Sequence, residues 1–245
     1  MSWFDKIKKQ TTMEDNSPEL KKGEIKSILL NQADKFANDF PFASYKNSRY
    51  TFQRQRTYKN HTVYETLQIV FGLKDRNFSC SVASRLNPTY INSGNYNGGL
   101  INPHVDLIVL KKGTGVIPIE EAYYFHNGRV ATTTKITEQI FNDFVSFGLP
   151  FIDRQYKRLR DNELINTGLE IIGTLKYDAK LLKNEIENEL KNGGHSISSI
   201  KHSVYIELKE TLQSIPNQTR EDRKEISRLA FDLIELYYTD RQNGS

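Results

Sequence analysis

In an extended segment, His104-Val105-Asp106 sets two metal-ligating side chains on one face, because residues i and i+2 of a strand point the same way. Glu120, Glu121 and His126 follow in the next stretch of strand-like composition, so a small cation site is the chemistry this set allows. The run Val105-Asp106-Leu107-Ile108-Val109-Leu110 also has the form of the acidic strand of a restriction-type nuclease core. That core needs a second acidic residue, one intervening residue, then lysine. Here Glu120-Glu121 is followed by Ala122 and Tyr123, and the lysine is missing. A metal-dependent nuclease built on His104, Asp106 and Glu120 is therefore the alternative reading. A strand-end role for Asp106 beside a loop is the leading one.

Other reactive side chains lack their partners. His195 and His202 have no carboxylate three or four residues on, and read as solvated helix histidines. The serines lack a G-x-S-x-G elbow, and the short Asn97-Gly98-Gly99 and Gly113-Thr114-Gly115 segments lack the lysine–hydroxyl pair of a phosphate loop. Cys80 falls on the apolar face of a strand, where a cysteine acts as a small hydrophobe. Arg49, Arg54, Arg56 and Lys59 interleave with Tyr50, Phe52 and Tyr58, a pattern that suits single-stranded nucleic acid. Tyr50 and Phe52, however, share parity with the buried face, which places them in the core. The segment from Asn87 to Pro103 has neither helical nor strand period. It carries Tyr90, Ser93 and Tyr96 among asparagines and glycines, a composition suited to protein recognition. Tyr90 and Tyr96 are the candidate partner-binding residues.

Elements that would position these groups follow from periodicity. Ser17-Pro18-Glu19 reads as a helix start, and Ile25, Ile28, Leu29, Ala33, Phe36 and Phe40 repeat at helical spacing until Pro41. After Ser48 the period becomes two. Residues 49–57, 62–73 and 77–86 read as consecutive antiparallel strands. Pairing Thr57 with Thr62 sets Phe52 opposite Leu67, Tyr50 opposite Ile69 and Arg54 opposite Glu65, so the apolar faces align and the two charges meet. Residues 105–110 and 117–125 continue in β-like composition. Ile136, Ile140, Phe141, Phe144, Val145 and Phe147 form a helical stripe that Gly148 and Pro150 end or kink. Beyond residue 160 three further stripes predict helices, one running through Ile165–Leu190, one through Ile197–Leu212, and a last one capped by Thr219-x-x-Asp222.

Composition sets the outer bounds. The 245 residues are 37% hydrophobic and 26% charged, enough apolar material for a sizeable core. A net charge of +4 is too small to imply nucleic acid by itself. No apolar run approaches a membrane span, the first residues lack a secretory h-region, and one cysteine cannot staple a fold. A cytoplasmic protein without membrane insertion is the expectation.

The order helix, Arg49-Tyr50-Thr51-Phe52-Gln53-Arg54, turn, Glu65-Thr66-Leu67-Gln68-Ile69-Val70-Phe71, turn, Phe78-Ser79-Cys80-Ser81-Val82 resembles the small bacterial domains catalogued as DUF4304. The resemblance covers about residues 20–150. It implies a helix on a β-meander, no catalytic residues, and a kinship with immunity and accessory proteins encoded near bacterial toxins. The combined expectation is an α+β fold: an N-terminal arm (1–16), an α+β domain with a helix on about five antiparallel strands (17–160), and a helical segment packed on it (161–245). The expected function is non-enzymatic binding of a protein partner, an immunity-type protein occluding a toxin, with no cofactor and no metal. A nucleic-acid-binding module is the third reading.

Overall fold

A computed structural model describes residues 18–36, 38–46, 48–72, 76–86, 100–118, 121–193 and 196–243. The fold is α+β, with an antiparallel sheet and abundant helix toward the C-terminus. The described elements are α1 (Lys22–Phe36), β1 (Phe42–Lys46), β2 (Arg49–Tyr58), β3 (His61–Gly72), β4 (Asn77–Arg85), β5 (His104–Asp106), α2 (Leu107–Lys112) and β6 (Tyr124–Phe125). Then come α3 (Val130–Asp143), a π-helical turn (Phe144–Gly148), α4 (Leu149–Asp161), α5 (Glu163–Thr174), α6 (Ala179–Asn192), a 3₁₀ turn (Ile197–Ser199), α7 (Ser203–Ser214) and α8 (Arg220–Asn243). Strand order is β1-β2-β3-β4-β5, with β6 also on β4.

Two compact units divide the chain. One is drawn from Met1–Gln55, Glu65–Ala83 and Val105–Asp153, the other from Arg56–Tyr64, Ser84–His104 and Arg154–Ser245. Each has its own core. In the first, Ile25 and Leu29 of α1 are buried with Tyr50, Phe52, Leu67, Ile69, Phe71 and Val82 of the meander and with Ile140, Phe141 and Phe144. In the second, Val63, Leu86, Leu100 and Ile101 are buried with the helical stripes of α5, α6, α7 and α8.

The period-two reading of 49–86 matches β2, β3 and β4 to within a residue or two. The expected register also holds at two points: Arg54 Nε donates to Glu65 Oε2 at 2.7 Å, and the Phe71 N–H donates to the Ser48 carbonyl at 3.0 Å. The last helix agrees too. The Thr219 hydroxyl accepts the Asp222 N–H at 3.0 Å, and Asp222 Oδ2 accepts the Thr219 N–H at 3.2 Å, a reciprocal capping box. Thr219→Val is expected to lower stability by about 1 kcal/mol in denaturant unfolding, the usual loss for a removed cap.

Several expectations are corrected. Helix α1 starts at Lys22, because Leu20 donates its N–H to the Gly128 carbonyl at 2.8 Å and so leaves the helical path. The cap comes instead from Glu24, whose Oε2 accepts the Lys21 N–H at 2.6 Å. Residues 105–110 are not one strand: β5 ends at Asp106 and α2 takes Leu107–Lys112. Gly113 closes that helix at φ +67°, a left-handed conformation that glycine adopts without a Cβ penalty. Among the described residues of 117–125, only Tyr124–Phe125 is strand, paired with Phe78 and Asn77. Gly148 and Pro150 do not end the helix. The π-helical turn carries the chain through Gly148 into α4, with the Leu149 N–H bonded five residues back to the Phe144 carbonyl and Pro150 as the second residue of α4. A Cβ at Gly148 would approach a Phe144 ring carbon to 2.5 Å, so the ring packs over a bare Cα. Val145 is 42% exposed and lies off the buried stripe. The stripe through 165–190 splits into α5 and α6, and Ile197 belongs to a 3₁₀ turn before α7.

Candidate partner-binding edge

Strand β1 has no counterpart in the sequence reading. The first helix ends at Phe36, short of the Phe40 that closes the helical pattern in the sequence, and Phe42-Ala43-Ser44-Tyr45-Lys46 pairs antiparallel with β2. It is the end strand of the sheet order, and among the described residues no strand pairs with its outer side. The ladder shifts between Phe42 and Ser44, a bulge at Ala43. That extra residue has a consequence for the side chains. Residues three apart would face opposite sides of a regular strand; the bulge brings Phe42 and Tyr45 to the same side. The Phe42 ring meets Phe52 edge-on at 5.8 Å, and the Tyr45 ring lies 4.9 Å from Tyr50. Phe52 and Tyr50 are fully buried, so the two outer rings rest on a rigid aromatic floor.

Helix α1 supplies the charge. Lys22 and Lys26 are four residues apart, one above the other on the helix face. Lys26 Nζ stands 5.7 Å from the Phe42 ring centre and 5.2 Å from that of Tyr45; Lys22 Nζ is 5.5 Å from Tyr45. Lys22 also donates to the Ser48 hydroxyl at 2.9 Å. The Lys22 ammonium beside the phenol holds the Tyr45 pKa below its ordinary value, against the opposing pull of burial. Phe42 and Tyr45 each keep 38% exposure, so both present ring surface outward beneath a pair of ammonium groups.

This arrangement suits recognition rather than strand addition. A five-residue edge strand with a bulge and a terminal lysine carries three of the devices that blunt edge-to-edge pairing. Two part-exposed aromatic rings with cations over them offer amphipathic anchors and a positive field. Each exposed cation–π contact contributes about 0.5–1 kcal/mol, a modest bias toward the observed placement of the lysines.

The residues singled out by sequence are dispersed. Tyr90 and Tyr96 lie outside the described residues, as do Glu120 and His195. His104 and Asp106 are the first and last residues of β5, and Asp106 holds the N-cap position of α2 without a side-chain cap bond. Glu121 is taken by an ion pair with Lys112. His126 is buried, its ring stacked on Phe71 and Phe78, and Nδ1 accepts the Gly128 N–H at 3.0 Å with the Thr133 hydroxyl 3.1 Å away. Burial, helped by the Arg76 charge, lowers its pKa to about 4. Among the described residues no group of three or more His, Cys, Asp or Glu is placed to hold a metal ion.

The basic strand is likewise committed internally. Tyr50 and Phe52 are core, Arg54 binds Glu65, the Arg56 guanidinium lies 3.9 Å from the Tyr156 ring centre, and Lys59 pairs with Glu170 at 3.1 Å. His202 corrects the expectation of a solvated histidine: Nε2 lies 2.7 Å from Glu185, and Nδ1 caps α7 through the Val204 N–H at 3.3 Å. Cys80 is buried and unbridged, with its thiol pKa pushed up by burial and by the Asp106 and Asp143 charges.

No family model, no curated protein and no solved structure matches the chain. Among the described residues no helix is long and apolar enough to cross a membrane.

Proposed function

We propose that this chain is a non-enzymatic, cytoplasmic binding protein of the immunity type, which neutralises a bacterial toxin by direct contact through the β1 edge. The observation that carries the reading is the pair Phe42 and Tyr45, brought to one side by the Ala43 bulge and overlaid by Lys22 and Lys26. Interfaces draw most of their energy from a few aromatic and basic anchors seated on rigid supports. The likeness of the helix-and-meander pattern to DUF4304 domains supports the same class of protein. Lys22 and Lys26 over these rings call for an acidic partner surface, and steering by such a field makes association fall with added salt. Tyr90 and Tyr96 are the second pair of anchors in this proposal.

The test is co-expression with the product of the adjacent gene. The proposal expects a purified one-to-one complex, relief of that product's toxicity, and an association rate that drops as ionic strength rises. An adjacent product that is neither bound nor neutralised removes the immunity reading.

A further inference from the structure

Tyr50 carries a hydroxyl that the free protein does not use. The residue is fully buried, and among the described residues no group donates to that hydroxyl or accepts from it. A buried phenol left unpaired costs the fold the desolvation of its O–H, and phenylalanine would fill the same space without that cost. Buried polar groups are paired as a rule, so an unpaired one beside a candidate interface points to an acceptor that arrives from outside the chain.

The ring that covers Tyr50 is Tyr45. The two are direct cross-strand partners, so their side chains share a face of the sheet, with ring centres 4.9 Å apart. Burial, with the Tyr45 phenol adding to it, pushes the Tyr50 pKa up to about 12, which sets the two phenol ends near each other. Tyr45 belongs to the end strand and is part-exposed, so its ring can turn outward to another staggered rotamer. Its oxygen accepts from Lys22 and Ser48, and this hydrogen bonding holds the ring over Tyr50. A carboxylate is a stronger acceptor for an ammonium than a phenol is, so an acidic side chain can take the place of the Tyr45 oxygen. Lys26 Nζ, 5.2 Å from the Tyr45 ring centre, adds a second positive charge at the same point.

We infer that Tyr50 is a specificity-determining residue of the β1 edge: one Asp or Glu carboxylate of the protein partner displaces the Tyr45 oxygen from Lys22 and accepts the Tyr50 hydroxyl. Tyr45 then serves twice, as a cover in the free protein and as an outward anchor in the complex. This inference rests on the β1 edge being the partner-binding surface. It deepens that reading by naming the group the edge recognises and the buried donor that recognises it.

The test is Tyr50→Phe in the full chain, read in two ways. In urea unfolding of the free protein, its midpoint should equal or exceed that of the wild type, because only an unpaired hydroxyl is lost. In calorimetric titration with the adjacent gene product, its affinity should fall about tenfold or more, the loss for a hydrogen bond to a charged group. Alanine at the Asp and Glu positions of that product, one at a time, should then reveal a single variant whose effect is not additive with Tyr50→Phe. A lowered midpoint overturns the inference, since the hydroxyl would already have its partner in the free chain. Wild-type affinity in Tyr50→Phe overturns it too, as does additivity with every carboxylate of the product; in both cases the β1 edge keeps its binding role. A wild type that does not bind the product removes that role and this inference together.

Discussion

Replacing Arg54 with Met is expected to cost about 3–5 kcal/mol of stability, the range for removing one partner of a buried ion pair. Glu65 has a fully buried side chain and accepts from Arg54 Nε at 2.7 Å. The same guanidinium lies 4.7 Å from the Phe40 ring centre, and its Nη2 is 3.6 Å from Asp153. Methionine keeps the stem that packs on Phe40 but removes the guanidinium from Glu65. A buried carboxylate stripped of that charge is costly, whereas a buried apolar side chain of similar size is not. Arg54→Met/Glu65→Leu is therefore expected to recover most of the loss. Urea unfolding of both single variants and the double variant reads the coupling directly. Additive losses would show that the pair contributes shape and no charge interaction.

Acidification from pH 7 to pH 4 is expected to move the two units in opposite directions. In the first, the folded state holds His126 at about 4 against an ordinary 6.5. Between those values the unfolded chain binds a proton that the folded chain refuses, so stability is lost as pH falls, by roughly 3 kcal/mol in all. In the second unit, Asp232 is 1% exposed, and burial raises its pKa from 3.8 to about 7, with Arg228 opposing and Glu235 reinforcing. Arg228 Nε lies 2.8 Å from Asp232 Oδ1, which limits the rise without cancelling it. Here the folded state binds the proton more tightly between pH 4 and pH 7. Stability is highest on the acid side and falls as pH rises through that window, by roughly 4 kcal/mol. Hydrogen exchange corrected for intrinsic rates should show protection falling in the first core and rising in the second. His126→Gln should flatten the first slope and Asp232→Asn the second. Parallel slopes in both units would contradict the assignment.

Particular residues show what the sequence disclosed. The meander was legible because Phe52, Leu67, Ile69, Phe71 and Val82 alternate strictly, and a one-residue slip would have turned each of them to the wrong face. The Arg54–Glu65 pair followed from the same register. Helix α2 was not legible, since Leu107-Ile108-Val109-Leu110 is a short apolar run that fits a buried strand as well as a buried helical turn. Only the left-handed Gly113 and the two lysines before it marked a helix end. The β1 edge was hidden for a related reason. Its two aromatic residues are three apart, a spacing with no meaning in a regular strand until a bulge is known. The four-residue spacing of Lys22 and Lys26 does not say which side chains lie beneath them.

The most direct measurement of the central claim is the affinity of the folded Phe42→Ala/Tyr45→Ala variant for the adjacent gene product. Both rings are part-exposed and sit outside the fully buried floor of Tyr50 and Phe52, so their removal leaves the core in place. Loss of an anchor typically costs about 2 kcal/mol or more, and the account predicts an affinity weakened about thirtyfold or more with toxin protection lost. Wild-type affinity and full protection in the folded double variant would contradict it.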